Sequence, residues 1–359
     1  MKYWRQILRF LVTLQLLPAL ESGEETTLVG GQAVVEGVMM RSPHAWGIAI
    51  RKPSGEITTH SASLRRPSEK HKWMGWPFIR GLVTLGQAMR LGFVASRFSL
   101  NVGLAGIAEE EAKNATAKAQ EDAAQTDQAT TSSVSAVAET KPVKAPELGN
   151  WAVIGSMIFS LAFFIFMYKF IPLAAATGLK RHWSVLGNNF AFNLVDGIIR
   201  IALFLLFVWG LSLFKDIKRI YHYHGAEHKT VFAYEDHGMT SVSNAQKYST
   251  YHPRCGTSFL MTIMLICIFV YAAIPLQTFW AKFALRVIFL PVIASVSYEI
   301  IRFSARHGRS LFALMTKPGL WLQRITTQPP SDDQVECAIK ALEEAMEVEK
   351  KNGGELVIA

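Results

Sequence analysis

Residues 255–281 read CGTSFLMTIMLICIFVYAAIPLQTFWA, 27 positions without a Lys, Arg, Asp or Glu. About 20 apolar residues suffice for a helix to cross the hydrocarbon layer of a membrane, and this run exceeds that. The surrounding chain has the same bias. Of its 359 residues 50% are apolar, and only 18% are charged against roughly 25% in an ordinary soluble domain. Mean hydropathy is +0.20 and the net charge is +9. A basic, apolar chain is either a nucleic-acid binder or a membrane protein. The first would gather its Lys and Arg on a soluble core and has no use for long uncharged stretches. The expected partner is therefore a lipid bilayer, and no nucleic-acid partner is expected.

Three further segments resemble the first. Residues 151–174 are apolar apart from Lys169, and residues 194–214 carry Asp196 and Arg200 four positions apart, able to pair on one helical face. Residues 283–303 are interrupted by Arg286, Pro291 and Glu299, as expected of a helix packed inside a bundle. With 257–276 they make four spans. The basic residues agree with that number. Six Lys/Arg lie in 215–256, five in 302–324 and eight in 51–90, whereas the opposite loops hold only Lys180, Arg181 and Lys282. All three basic regions fall on the cytoplasmic side if the number of spans is even.

The fold expected is an α-helical membrane protein with about four transmembrane helices and a small β-containing cytoplasmic N-terminal module. Residues 1–27, with Lys2, Arg5 and Arg9 before an apolar stretch, read either as a signal-like segment or as an amphipathic anchoring helix. Residues 28–107 form the β-containing module and an interfacial helix. In that module Trp46–Ile50 and Glu56–Thr59 flank the turn Pro53-Ser54-Gly55 as a hairpin. Helical spacing begins at Phe78, with Arg80, Arg90 and Arg97 towards one side. Residues 108–148 lack aromatic residues and read as a disordered linker. A membrane domain follows over 149–325, and a helical tail over 326–359, its apolar positions Val335, Ile339, Leu342 and Met346 spaced to dock on a neighbour. Cys255, Cys267 and Cys337 are too few for a disulfide framework.

Five of the ten histidines fall between His222 and His252. In a helix His224, Glu227 and His228 stand at i, i+3 and i+4 and share a face. This H-x-x-E-H arrangement lets two imidazoles hold a divalent metal, zinc among the candidates, with Glu227 as a further ligand or a general base. His252, Cys255 and Glu299 are the candidates to complete the site, although Glu299 can equally pair with a basic residue nearby. Residues 30–41, GGQAVVEGVMMR, match neither a P-loop nor a dinucleotide fingerprint. Glu36 and Arg41 there either pair with each other or reach the histidines.

Together with HGAEHKTVFAYE (224–235), HPRCGTSF (252–259), SYE (297–299) and PGLWLQRITTQPP (318–330), that stretch resembles the YqhQ family of bacterial membrane proteins. The resemblance implies a multi-pass protein of the bacterial inner membrane, with both termini cytoplasmic by the charge argument. It also carries that family's label, a domain of unknown function predicted to be a metal-dependent enzyme. The first 29 residues and the 108–148 insertion depart from the family pattern. Two functional classes follow: a metal-dependent membrane enzyme, with a hydrolase as one form of it, and a non-catalytic scaffold or regulator of a membrane protein complex. A transporter is a third reading, resting on Asp196 and Arg200 alone.

Overall fold

A computed structural model describes residues 29–65, 67–126, 150–253, 255–306 and 311–351. The N-terminal segment 1–27 and the second half of the 108–148 insertion lie outside these residues.

The N-terminal module is an antiparallel meander of four strands, β1 (Gly30–Val34), β2 (Gly37–Arg41), β3 (Ala45–Arg51) and β4 (Ile57–Ser63), paired in chain order. The expected hairpin is β3–β4, in a register that sets Ala45 against Ser63 and Arg51 against Ile57. β2 and β3 are apolar at nearly every position because the sheet is covered on both faces. One face presents Met39, Trp46, Ile48 and Ile50 to Leu91 and Ala95 of the helix α1 (Ile79–Thr126). The other presents Val38, Met40 and Ala49 to two helices, α5 (Lys215–His237) and α10 (Asp332–Lys351). Each fully buried Ile or Met in these layers contributes about 1.5–3 kcal/mol. Glycine at position 47 is a steric requirement, since a Cβ there would lie 2.5 Å from the Ala341 carbonyl and 2.6 Å from the Ala345 nitrogen.

The apolar part begins with α2 (Asn150–Ile165), which passes through a π-helical turn at Phe166–Phe170 into α3 (Ile171–Lys180). Then come α4 (Asn189–Ser212), α6 (Gly256–Ala273), α7 (Phe279–Ile288), α8 (Leu290–Arg306) and α9 (Leu311–Thr326). Asn188 caps α4, its side-chain oxygen accepting from the Phe190 N–H at 2.8 Å. α6 is central and packs on α4, α8 and α9.

Two features differ from the sequence reading. Among the described residues four helices are long and apolar enough to cross a membrane, 79–117, 158–180, 189–212 and 256–273, or five if a bent pair is counted as one span. The expected span 283–303 falls in a bent pair, Phe279–Ile288 and Leu290–Phe303, whose halves pass the same test together but meet at 49°. Pro291 explains the break: it has no N–H for the carbonyl four residues back and fits only the first turn of a new helix. Helix α1 also continues to Thr126, well into the segment read as a disordered linker. Residues 108–126 are rich in Ala, Glu, Lys and Gln, which favour helix without needing a core to pack on. The start of α1 is fastened to α8: Arg80 grips Glu299, with Nε to Oε1 at 2.8 Å and Nη2 to Oε2 at 2.5 Å. Farther on, Leu91 and Ala95 lie on the sheet, with Phe98 and Val102 packed beside them.

The C-terminal helix is tied down by Glu349. Its carboxylate accepts from Ser42 Oγ (2.7 Å) and the His44 N–H (2.8 Å) and meets His44 Nδ1 at 2.7 Å. Burial alone would raise this carboxyl, but those hydrogen bonds outweigh it and hold it below the usual carboxylate range. With the folded-state value below the unfolded one, the stabilisation is fully present above the ordinary carboxylate range. It is lost as pH falls through the folded-state value. Glu349→Ala is expected to cost about 1–3 kcal/mol at neutral pH, read as a lower thermal midpoint of the purified full chain. The gap to wild type should narrow in acid. An unchanged neutral midpoint would contradict this docking.

Candidate metal centre

Helix α5 places the histidines. Its buried face carries Tyr223, Ala226, Val231 and Tyr234 against the sheet and α10, which fixes the rotation of the helix and turns His224, Glu227 and His228 towards the adjoining loop and α9. The last turn of α9 and the residues after it run beside α5 and are stitched to it. Gln328 N–H donates to the Tyr221 carbonyl at 2.9 Å, and His222 Nδ1 lies 2.6 Å from the Pro329 carbonyl.

The same stitching orients both candidate ligands. His224 Nδ1 is 2.8 Å from the Thr326 carbonyl, and His228 Nδ1 is 2.5 Å from the Thr250 carbonyl. A carbonyl can only accept, so each Nδ1 carries the proton, and Nε2 is the nitrogen left to present a lone pair. Burial pushes His228 further towards the neutral form. Cys255, at the N-cap of α6, brings its Sγ to 3.2 Å from His224 Nε2. One donor atom each from His224, His228 and Cys255 gathers with all separations within 4.8 Å. Tetrahedral zinc with bonds of about 2.0–2.3 Å sets its ligand atoms roughly 3.3–3.6 Å apart; the Cys255–His224 pair is at 3.2 Å, and the three donors together are a group that could hold a metal ion.

Glu227 is buried beside the cluster, with a carboxylate oxygen 3.9 Å from His224 Nε2. Burial raises its carboxyl above the usual range, while His224, His252 and a hydrogen bond from the Gly31 backbone oppose the rise. This gives residues 30–31 a role. The first strand lies directly over Glu227, and a Cβ on residue 31 would come within 2.8 Å of Glu227 Cγ and 2.6 Å of the Met39 carbonyl.

The other residues singled out from the sequence fall around this core. His252 stands next to the cluster, its ring 5.6 Å from that of His228 and 4.5 Å from that of Phe232. Its Nε2 faces the Glu235 carboxylate at 3.7 Å. Glu299 is not drawn in. Arg80 and the Phe78 N–H occupy its carboxylate, a basic partner being the alternative open to it from the outset. Glu36 reaches the histidine helix but not the cluster, pairing with Arg219 at 2.5 Å, and Arg41 donates to Gln87 at 3.2 Å.

Sequence reasoning missed Gln323. This fully buried side chain of α9 accepts from the His252 N–H at 2.7 Å and donates to the His252 carbonyl at 2.8 Å and to Ser258 Oγ at 3.1 Å. It thereby sets the path of the loop that delivers Cys255. A glutamine among Leu, Trp and Ile in an apolar helix was the available signal.

A histidine–cysteine cluster thus lies at the junction of a β-sheet module and a bundle of apolar helices. The chain belongs to the family described as protein of unknown function (DUF1385), whose pattern matches residues 76–348. It is similar to the uncharacterized protein YqhQ of Bacillus subtilis (strain 168), with 29% identity over 327 residues, covering 89% of this chain and 92% of that relative. No solved structure matches.

Replacing Gln323 with Leu would strand the His252 N–H and carbonyl in a buried site, at about 1–3 kcal/mol for each group. The expected result is a lower thermal midpoint together with faster proteolysis between residues 250 and 256. Gln323→Glu, which keeps an acceptor for the N–H, should fall between the two. A Leu variant as stable and as resistant as wild type would remove Gln323 from the site's support.

Proposed function

We propose that this protein is a metal-dependent membrane enzyme, a hydrolase in its simplest form, with a divalent ion, zinc by preference, held by His224, His228 and Cys255. The observation that carries the reading is the pair of Nδ1–carbonyl bonds. Histidines that bind metal characteristically donate the other ring nitrogen to a carbonyl or carboxylate, and here both do so while their Nε2 atoms converge with a thiol. Imidazole and thiolate together suit zinc better than magnesium or calcium. Three protein ligands are the number found where a fourth position serves chemistry. Bound there, the ion would supply Lewis acidity towards a carbonyl or phosphoryl oxygen of the substrate.

The chain's own part is proton handling and orientation. Glu227 is oriented by the Gly31 N–H, burial raises its carboxyl above the usual range, and its place beside the cluster suits a group that takes a proton and returns it. His252 and Glu235 form a second polar pair behind His228. Gly31 and its strand cover the site, so a substrate would enter from another side.

The reading also places the protein in the bacterial inner membrane. The crossings would be 150–180, 189–212, 256–273 and the bent pair 279–303, an even number, with the sheet, α5 and α10 together on the cytoplasmic face. Helix 79–117 has the composition of a span, but its packing on the sheet supports a course along that module. The basic residues of 51–90 and 215–256 then share a side, as the positive-inside rule requires.

The test is elemental analysis of the detergent-purified full chain. Wild type should hold about one metal per chain. His224→Ala, His228→Ala and Cys255→Ala should each lower occupancy at least tenfold, while Glu299→Gln, whose partner is Arg80, leaves it intact. Glu227→Gln should keep the metal and slow any hydrolysis that wild type performs by about 10²–10⁴-fold. Absence of metal from wild type, or its retention in both histidine variants, would refute the enzyme reading and favour the non-catalytic scaffold.

A further inference from the structure

A second polar cluster, separate from the histidine–cysteine cluster, lies among the apolar helices. Asp196 of α4 is fully buried and both its carboxylate oxygens are taken. Oδ1 accepts from Arg286 Nη1 at 2.5 Å, and Oδ2 accepts from Arg200 Nη2. Arg286 also donates to Asn193 Oδ1 at 3.0 Å. Arg200 Nε donates at 3.0 Å to the carbonyl of Tyr168, in the π-helical turn. Lys169 of that turn is buried too and donates to Tyr271 Oη at 3.2 Å, while both guanidiniums lie over the Tyr271 ring at 5.2–5.4 Å from its centre.

The charges do not balance. Asp196 is the only carboxylate in residues 150–212 and 256–288, so Lys169, Arg200 and Arg286 share one acid. Uncompensated buried charge is costly in apolar surroundings, and ionisable groups within membrane helices mark ligand sites. A cavity of about 200 Å³ lies beside the excess charge, lined by Lys169, Arg200 and Tyr168 and by the apolar Phe164, Phe204 and Met264 among others. Among the described residues, Arg200 Nη1 and Tyr168 Oη have no hydrogen-bond partner, although Arg200 is only 1% exposed. Two buried groups able to donate therefore belong to the wall of one cavity. π-helical turns of this kind occur often at functional sites. Phe164 and Leu260, also on the wall, are nearly half exposed on the flank of the bundle, so the cavity meets the surface where acyl chains would run.

We propose that this cavity binds the anionic head of an acyl amphiphile, a carboxylate or phosphate, with its chain along the apolar wall. The head accepts from Arg200 Nη1 and Tyr168 Oη beside Lys169 and offsets one of the surplus positive charges. A free inorganic anion would leave most of this wall unused. The site does not depend on the metal centre.

The probe is a diazirine-bearing palmitate, photolysed on the detergent-purified full chain and mapped by peptide mass spectrometry. Cross-links should fall within 164–168 and 260–264. Oleate should compete at least tenfold better than methyl oleate, which has the same chain without the charge. Competition by phosphatidylglycerol would name a membrane phospholipid as the source, and competition by oleate alone a free fatty acid. Arg200→Gln and Leu260→Trp should each reduce labelling at least tenfold. The second leaves every charged residue in place and starts from a half-exposed position, so its thermal midpoint should stay at the wild-type value. Labelling confined to other segments, equal competition by methyl oleate, or full labelling of a folded Leu260→Trp variant would overturn the proposal.

Discussion

The hydrogen bond from His224 Nδ1 to the Thr326 carbonyl is where the two halves of this molecule meet. Thr326 ends α9, and the last carbonyls of a helix have no partner within it. One of them is satisfied by a histidine from the helix that also supports the β-sheet. The bond closes a loop of 102 residues and performs two tasks. It fixes the imidazole tautomer, and it holds the exit of the bundle against α5, where Gln328 and Pro329 continue the seam. The histidine–cysteine cluster is then a consequence of the junction. The seam and the His228–Thr250 bond together keep the two donor sets, one from α5 and one from the start of α6, in register.

Gln323 extends this constraint to the other side of the site. It satisfies both backbone groups of His252 from within α9, so the loop carrying Cys255 is positioned by the same helix that orients His224. The support consists of backbone carbonyls and one amide, with no charge among them. Charge is concentrated elsewhere, in the Asp196 cluster of the apolar helices and in the Arg80–Glu299 pair that fastens α1 to α8.

Much of this was legible in the sequence because it depends on local periodicity. The uncharged run at 255–281 announced an apolar helix, the alternation around Pro53-Ser54-Gly55 gave the β3–β4 hairpin, and the spacing of His224, Glu227 and His228 put them on one face. What was not legible depends on which distant groups meet. Glu299 had equal standing as a metal ligand or an ion-pair partner until Arg80, 219 positions away, was seen to hold it. The carbonyls of Thr250 and Thr326 carry no side-chain signature at all. Pro291 was visible as an interruption, but the 49° bend follows from where it falls in the new helix. The 108–126 stretch was read through its lack of aromatic residues, which bears on packing, when its Ala and Glu content bore on helix formation.

X-ray absorption at the zinc edge of the purified, zinc-loaded full chain tests the central claim most directly, because it reads the donor atoms. Ligation by His224, His228 and Cys255 predicts one sulfur at about 2.3 Å and two nitrogens at about 2.0–2.1 Å, with the sulfur shell lost in Cys255→Ala. A first shell of oxygen and nitrogen alone in the wild-type protein would contradict it.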